Sequence, residues 1–314
     1  MSEAPTPARA SGPARLLFVH AHPDDEVLAT GLTMASYASR HHQVHLLTCT
    51  LGEEGEVIPP ALAHLGADHD DALGPWRREE LRAAMSVLGV AHSVLGEDPQ
   101  RGVASRYRDS GMAGTASAEH PDAFVRADPS EAAEMVAAHI RAVRPDVVVT
   151  YDEHGGYAHP DHIHTHRVTM AALSMLAAEA AGAPVPLAFC ILTPASWAAQ
   201  DRAWLHGHVV TGPDTLVPAR DDPFPPSVVP DETVTHLVEE PTLVETQSLA
   251  LARHATQVVV RDGYYTLSNH VVSRLSGREG FARFDPVAGR LVPAAPGTPP
   301  RAGLLGNGLF NEGM

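Results

Sequence analysis

His22-Pro23-Asp24-Asp25-Glu26 follows the apolar run Leu16-Leu17-Phe18-Val19, and His159-Pro160-Asp161-His162 follows a second apolar run, Val147-Val148-Val149. Imidazoles and carboxylates gathered at two strand ends are the residue types that supply metal ligands, a general base and a general acid together. A catalytic zinc site keeps three protein ligands and one open position for water, and His22, Asp25 and His162 fill that set. His22 and Asp25 are three residues apart on a turn leaving a strand, a spacing that lets both face one ion. Adjacent side chains diverge, so Asp24 is free to act as base on the water. His159, one helical turn before His162, faces the same cavity without occupying the metal and is the candidate general acid. Asp161 is placed to orient the His159 ring. Tyr157, ending a Gly-Gly turn, is placed to donate a hydrogen bond to a developing oxyanion.

Each feature has a plainer reading. The chain holds 20 histidines, and His41, His42, His45, His64 and His69 read as surface or packing residues. An Asp-Asp pair alone is ordinarily a solvated turn or helix cap. The conjunction of two clusters, each at a strand end with Pro and acid beside His, favours the site. A metal- or sugar-binding module without turnover is a rival, but closed structural sites use four ligands and favour Cys, and Cys49 and Cys190 lie apart from both clusters. Two His and one carboxylate also describe the facial triad of Fe(II) oxygenases, so the ligand set admits Fe(II) beside Zn(II). The adjacent base and acid argue for hydrolysis.

The elements that must position these residues alternate. Strands are expected at 16–20, 44–50, 93–95, 146–151 and 187–192, and helices at 27–40, 76–88, 129–143, 160–181, 196–206 and 242–255. This alternation predicts an α/β, Rossmann-like fold with a mainly parallel sheet flanked by helices. Ligands of such sheets bind outside the carboxyl ends of strands where the order reverses, and an order of the 3-2-1-4-5 type makes the first and fourth strands neighbours. The division expected is a disordered lead at 1–14, a metal-binding core at 15–182, a C-terminal part at 183–293 that completes the sheet and cavity, and a mobile tail at 294–314. The loop 96–127 is long enough to be functional.

At 314 residues and 44% hydrophobic, the chain can bury a large core. A net charge of -16 disfavours nucleic acid, which needs a basic face. The cysteines give no disulfide framework, and no charged-then-apolar leader or long apolar span is present, so the expectation is a soluble cytoplasmic protein with no membrane partner. A small molecule is the expected partner; the sequence leaves the oligomeric state open.

With these motifs the chain resembles the zinc-dependent de-N-acetylase family that includes the N-acetylglucosaminylphosphatidylinositol deacetylases. The segments Thr48 to Glu56, Arg106 to Met112 and Tyr151 to Tyr157 resemble its mycothiol-biosynthesis branch; the resemblance covers about residues 15 to 270 and is strongest to residue 170. It implies hydrolysis of the acetamide of N-acetylglucosaminyl-inositol to glucosaminyl-inositol and acetate. It implies zinc on His22, Asp25 and His162, Asp24 as base, and His159 as acid or oxyanion partner. It also implies Arg77 and Asp109 on sugar or inositol hydroxyls, Met112 beside the acetyl group, and His254 and Gln257 lining the cavity. The plainer readings are an ion pair of Arg77 with Glu79 or Glu80, loop packing by Met112, and an ordinary helix end at His254 and Gln257. A sister branch hydrolysing mycothiol S-conjugates carries a Lys where this chain has Val27-Leu28-Ala29, which favours the deacetylase. Ala29 replaces a Ser common in the deacetylases, so another N-acetyl-sugar remains an alternative substrate.

Overall fold

The structure, a computed structural model, describes residues 12–180 and 184–305. Most of the expected lead, residues 1–11, lies outside the described residues. Five strands, β1 (Arg15–His20), β2 (Gln43–Thr48), β3 (Ala91–Val94), β4 (Val147–Thr150) and β5 (Leu187–Ile191), run parallel in the order β3-β2-β1-β4-β5. The expected order is the one observed, and the reversal falls between β1 and β4.

These strands read as unbroken apolar runs because both faces of the sheet are covered. Leu16, Phe18, Leu46, Val147 and Val149 turn toward the helices α1 (Asp25–Ser39), α2 (Leu73–Leu88) and, later in the chain, Val244–Leu251. Leu17, Val19, Leu47 and Val148 turn the other way, onto α3 (Pro129–Val143) and α4 (Pro160–Glu179). Period-two alternation of side chains therefore builds two cores from one strand. Local capping fixes where the helices begin. Asp128 accepts from the Ser130 and Glu131 amides with Pro129 at the first position of α3. At α4 the cap is His159, with Pro160 following.

The C-terminal part extends the sheet with antiparallel strands. After α5 (Ala195–His208), β6 (His236–Glu239), α6 (Val244–Leu251) and β7 (Arg278–Asp285) give the continuation β5-β7-β6, with Arg290–Leu291 folded back on β7. Three short strands, Val259–Val260, Tyr264–Thr266 and Val272–Arg274, form a separate small sheet. Of the tail expected from 294, residues as far as 305 are described, and its last part packs on the sheet. β8 (Arg301–Ala302) pairs parallel with β6, the Leu304 amide donates to the Tyr37 hydroxyl at 2.6 Å, and Leu304 and Leu305 are buried in the first core. Two leucines after a Pro-rich stretch were the signal; residues 306–314 lie outside the described residues.

Candidate metal centre and active site

The turn leaving β1 separates its two aspartates by backbone conformation. Asp24 is the N-cap of α1 at φ 102°, ψ -37°, a region that residues other than Gly rarely adopt. Its carbonyl accepts the first helical amides, from Val27 at 3.0 Å and Leu28 at 2.9 Å. Asp25, already helical, points back: its Oδ2 accepts from the His22 amide at 3.0 Å and from the Tyr151 hydroxyl at 2.7 Å. Asp24 instead meets the Arg77 guanidinium, with Nη2 to Oδ2 at 3.1 Å.

The structure brings the two clusters together. His22 Nδ1, Asp25 Oδ2 and His162 Nε2 form a triangle with sides of 3.3, 3.2 and 3.3 Å. Zinc sits about 2.0–2.2 Å from His nitrogen and carboxylate oxygen, so tetrahedral coordination requires neighbouring ligand atoms roughly 3.3–3.5 Å apart. These three residues could hold such an ion, and all three are buried. Two other sets of possible ligand atoms share His22 within 4.8 Å: His22, His159 and His162, and His22, Asp109 and Asp161. The second set lies on the far side of the His22 ring, where Nε2 meets Asp161 Oδ2 at 3.2 Å and Asp109 Oδ1 at 3.3 Å. A proton on Nε2 donated to these carboxylates leaves the Nδ1 lone pair facing the triangle, the usual outer support of a ligating imidazole.

Asp161 therefore does not orient His159 as expected. Its carboxylate serves His22 and accepts the Ser110 amide at 2.9 Å, whereas its backbone N–H donates to His159 Nδ1 at 3.2 Å. The reason is helical geometry: His159 caps α4, so its ring reaches back over the first-turn amides while the Asp161 side chain turns toward β1. With Nδ1 accepting, a neutral His159 carries its proton on Nε2. Its ring lies 4.8 Å from those of both His22 and His162.

The other expected contacts divide. Tyr157 stands at the rim, 54% exposed, with its ring 5.0 Å from that of His162. Gly155 puts it there: at φ 62°, a Cβ on Gly155 would lie 2.7 Å from the His162 Cβ, so only glycine lets this turn rest on α4. Met112 is 51% exposed. Arg77 pairs with Asp24 rather than Glu79 or Glu80, and its guanidinium also donates to the Gly52 and Pro23 carbonyls. Asp109 accepts from the Gly111 and Glu54 amides and faces His22. Gln257 packs over Gly55 beside Arg77. His254 departs from the expectation of a cavity-lining residue: it is fully buried, with Nε2 at 2.8 Å from Glu26 Oε1. Burial excludes it from solvent and hence from substrate.

Sequence reasoning missed Tyr151, which stacks on His162 at 4.2 Å, takes the Ala21 amide at 3.0 Å and donates to Asp25. The available signal was its position, the residue after β4 at the carboxyl end of a central parallel strand. Burial pushes the Tyr151 phenol well above its usual range, with Asp25 adding to the effect, so it stays a donor. Burial also pushes Asp24 up to about 7, against the pull of Arg77 and with help from Asp25. Burial opposes charge on His22, yet Asp109, Asp161 and Asp25 hold it well above the usual histidine value. Asp25 is held well below the usual carboxylate range by His162 and His22, despite burial. Burial, then the charges of His22 and His162, draws His159 down to about 4.

Residues 17–173, which carry this site at the reversal between the first and fourth strands, match the GlcNAc-PI de-N-acetylase (PIG-L) family in sequence, and the chain belongs to that family of enzymes that hydrolyse an acetamide. Its relatives are more specific. The 1D-myo-inositol 2-acetamido-2-deoxy-alpha-D-glucopyranoside deacetylase of Thermomonospora curvata is 44% identical over 285 residues, 88% of this chain and 93% of that one. The Streptomyces scabiei deacetylase of the same name is 46% identical over 277 residues, covering 85% and 83%. Among solved structures, the zinc-inhibited form of teicoplanin deacetylase Orf2 aligns with a TM-score of 0.49 at 20% identity, covering 87% of this chain and 99% of that one. Among the described residues, no helix is long and apolar enough to cross a membrane.

Proposed function

We propose that the chain is a metal-dependent deacetylase that hydrolyses the acetamide of N-acetylglucosaminyl-inositol, the reaction of the mycothiol-biosynthesis branch it resembles. The observation that carries this reading is the triangle of His22, Asp25 and His162 with a second carboxylate, that of the adjoining residue Asp24, held apart from it by Arg77. His22, Asp25 and His162 would hold Zn(II), or Fe(II) in its place. When bound, the ion supplies Lewis acidity, polarising the carbonyl and lowering the pKa of water toward ~7. Asp24 takes the proton from water as the oxygen attacks the acyl carbon, and Arg77 fixes the carboxylate's direction. The neutral His159 ring presents its Nε2–H to the oxyanion that develops, with the Tyr157 hydroxyl as second donor. Asp24 then returns the same proton to the nitrogen of the leaving amine as the C–N bond breaks, which leaves acetate and the free amine.

This assignment gives His159 the oxyanion partner's role rather than the acid's. His159→Gln keeps an N–H donor and recovers part of the rate lost in His159→Ala; equal losses in both would restore His159 as the acid. The function itself is tested by acetate release from N-acetylglucosaminyl-inositol, free N-acetylglucosamine and a mycothiol S-conjugate, each with and without chelator. The expected order places N-acetylglucosaminyl-inositol first. Preference for the conjugate would favour the amidase branch, and turnover unaffected by chelator would remove the metal.

A further inference from the structure

The peptide group joining Pro23 to Asp24 is held at both of its polar atoms. Arg77 donates to the Pro23 carbonyl on one side, and on the other the Asp24 N–H donates to Glu26 Oε2 at 2.9 Å. Glu26 has its second oxygen on His254 Nε2 at 2.8 Å. Both Glu26 and His254 are fully buried, so water cannot take the place of either partner. Asp24 sits at φ 102°. The orientation of the preceding peptide plane is what sets that angle, while the helix amides on the Asp24 carbonyl fix ψ. Without both grips the residue would relax toward the β region ordinary for an N-cap, and its side chain would swing away from the direction opposite to Asp25.

We propose that Glu26 and His254 form a buried clamp that holds the Asp24 backbone in its left-handed conformation, and so act as positioning residues for the base. His254 comes from the segment after α6, where its carbonyl accepts the Gln257 and Val258 amides at 3.0 and 2.9 Å. The C-terminal part thus contributes to the site from beneath it, through a contact spanning 228 residues. This inference rests on the reading of Asp24 as the base.

The test measures Glu26→Ala, Glu26→Gln and His254→Ala, each alone and combined with Asp24→Gly, for kcat, KM and metal content, with crystal structures of the wild type and the Glu26 variants. Glu26→Ala is expected to lower kcat about 100-fold, the cost of a small misplacement of a reacting group, with KM and metal content unchanged. Glu26→Gln retains an oxygen for the Asp24 amide and recovers most of that rate. In the Asp24→Gly background the same replacements change the residual rate by no more than about twofold, because residues acting through one another are not additive. Crystals of Glu26→Ala show Asp24 moved to negative φ. Equal losses in both backgrounds would make Glu26 and His254 an ordinary core pair and overturn the clamp, as would a φ still near its native value in Glu26→Ala. If Glu26→Ala fails to fold, Glu26→Gln and His254→Ala carry the comparison. If the wild type releases no acetate, the deacetylase reading fails, and Asp24 φ in the crystals still decides the clamp.

Discussion

Replacing Tyr151 with Phe removes one oxygen and leaves the volume of the ring intact, so the loss is of hydrogen bonds alone and no cavity opens. That oxygen donates to Asp25 at 2.7 Å and accepts the Ala21 amide at 3.0 Å, with all three residues buried. A hydrogen bond to a charged group contributes roughly 1.5–3 kcal/mol, and a buried amide left without a partner costs about 1–3 kcal/mol. Because both share one hydroxyl, the sum overstates the effect, and about 3 kcal/mol of lost stability is expected. With a denaturant slope near ~3 kcal/mol/M, the urea midpoint falls by about 1 M. The phenol also fixes a proposed metal ligand, so zinc affinity falls about 10–100-fold. Urea melts of chelator-treated protein and competitive zinc titration read the two effects separately. A midpoint within 0.2 M of wild type, taken as roughly the precision of such melts, together with unchanged zinc affinity would refute the role given to Tyr151.

Four further outcomes follow. His162→Ala removes one corner of the 3.2–3.3 Å triangle, and metal analysis of the purified variant should show most of the ion lost; full occupancy would mean the ligand is misassigned. A methyl at Gly52 would sit 2.0 Å from Arg77 Nη1, so Gly52→Ala displaces the guanidinium from Asp24 and lowers kcat about 100-fold with metal content unchanged. Glu279 on β7 is buried against α1, and burial pushes it up to about 7 despite the hydrogen bonds from Thr33 and Leu32. The folded chain keeps this proton to higher pH than the unfolded one, so the group's contribution to stability falls as pH rises from about 4.5 to 7, on the order of 3 kcal/mol in all, and is level above. Glu279→Gln should remove that slope from the difference between the two pH–stability curves. Leu304→Ala should cost about 2–5 kcal/mol in denaturant melts if the tail belongs to the core, and nothing if it does not.

The parallel core was legible because both faces of its sheet are covered, which leaves runs such as Val147 to Val149 with no polar interruption. The strand order expected of such a sheet sets β1 beside β4, and so the turns that carry His22 and His162 side by side. What the sequence withheld were contacts set by backbone direction. That Asp161 serves His22 depends on which way the first turn of α4 faces, and that Asp24 and Asp25 part as far as they do depends on one positive φ. Glu26 and His254 meet across the whole fold, and neither spacing nor composition marks such a pair. Of the C-terminal strands, β6 and β8 are short and lie beside prolines, and the longer β7 carries Arg278, Glu279, Arg283 and Asp285, so none shows the unbroken apolar run that marked the parallel strands.

Charge pairing bears on the proposal that this interior holds a divalent cation. Five carboxylates, Asp24, Asp25, Glu26, Asp109 and Asp161, are buried around one turn. Two have partners of their own: Arg77 answers Asp24, and His254 answers Glu26. Asp25, Asp109 and Asp161 remain around the imidazoles of His22 and His162, with neutral donors from the Tyr151 hydroxyl and the Ser110 and Gly111 amides. Neutral donors offset only part of the cost of burying charge, so the positive charge that the proposed ion would bring beside this remainder is favourable. The two answered carboxylates are those assigned to the base and its clamp, and the unanswered ones surround His22. On the proposed assignment the division of charge follows the division of labour, with acids that must keep a fixed direction paired inside the protein and those around the proposed ligands left for the proposed cation to neutralise.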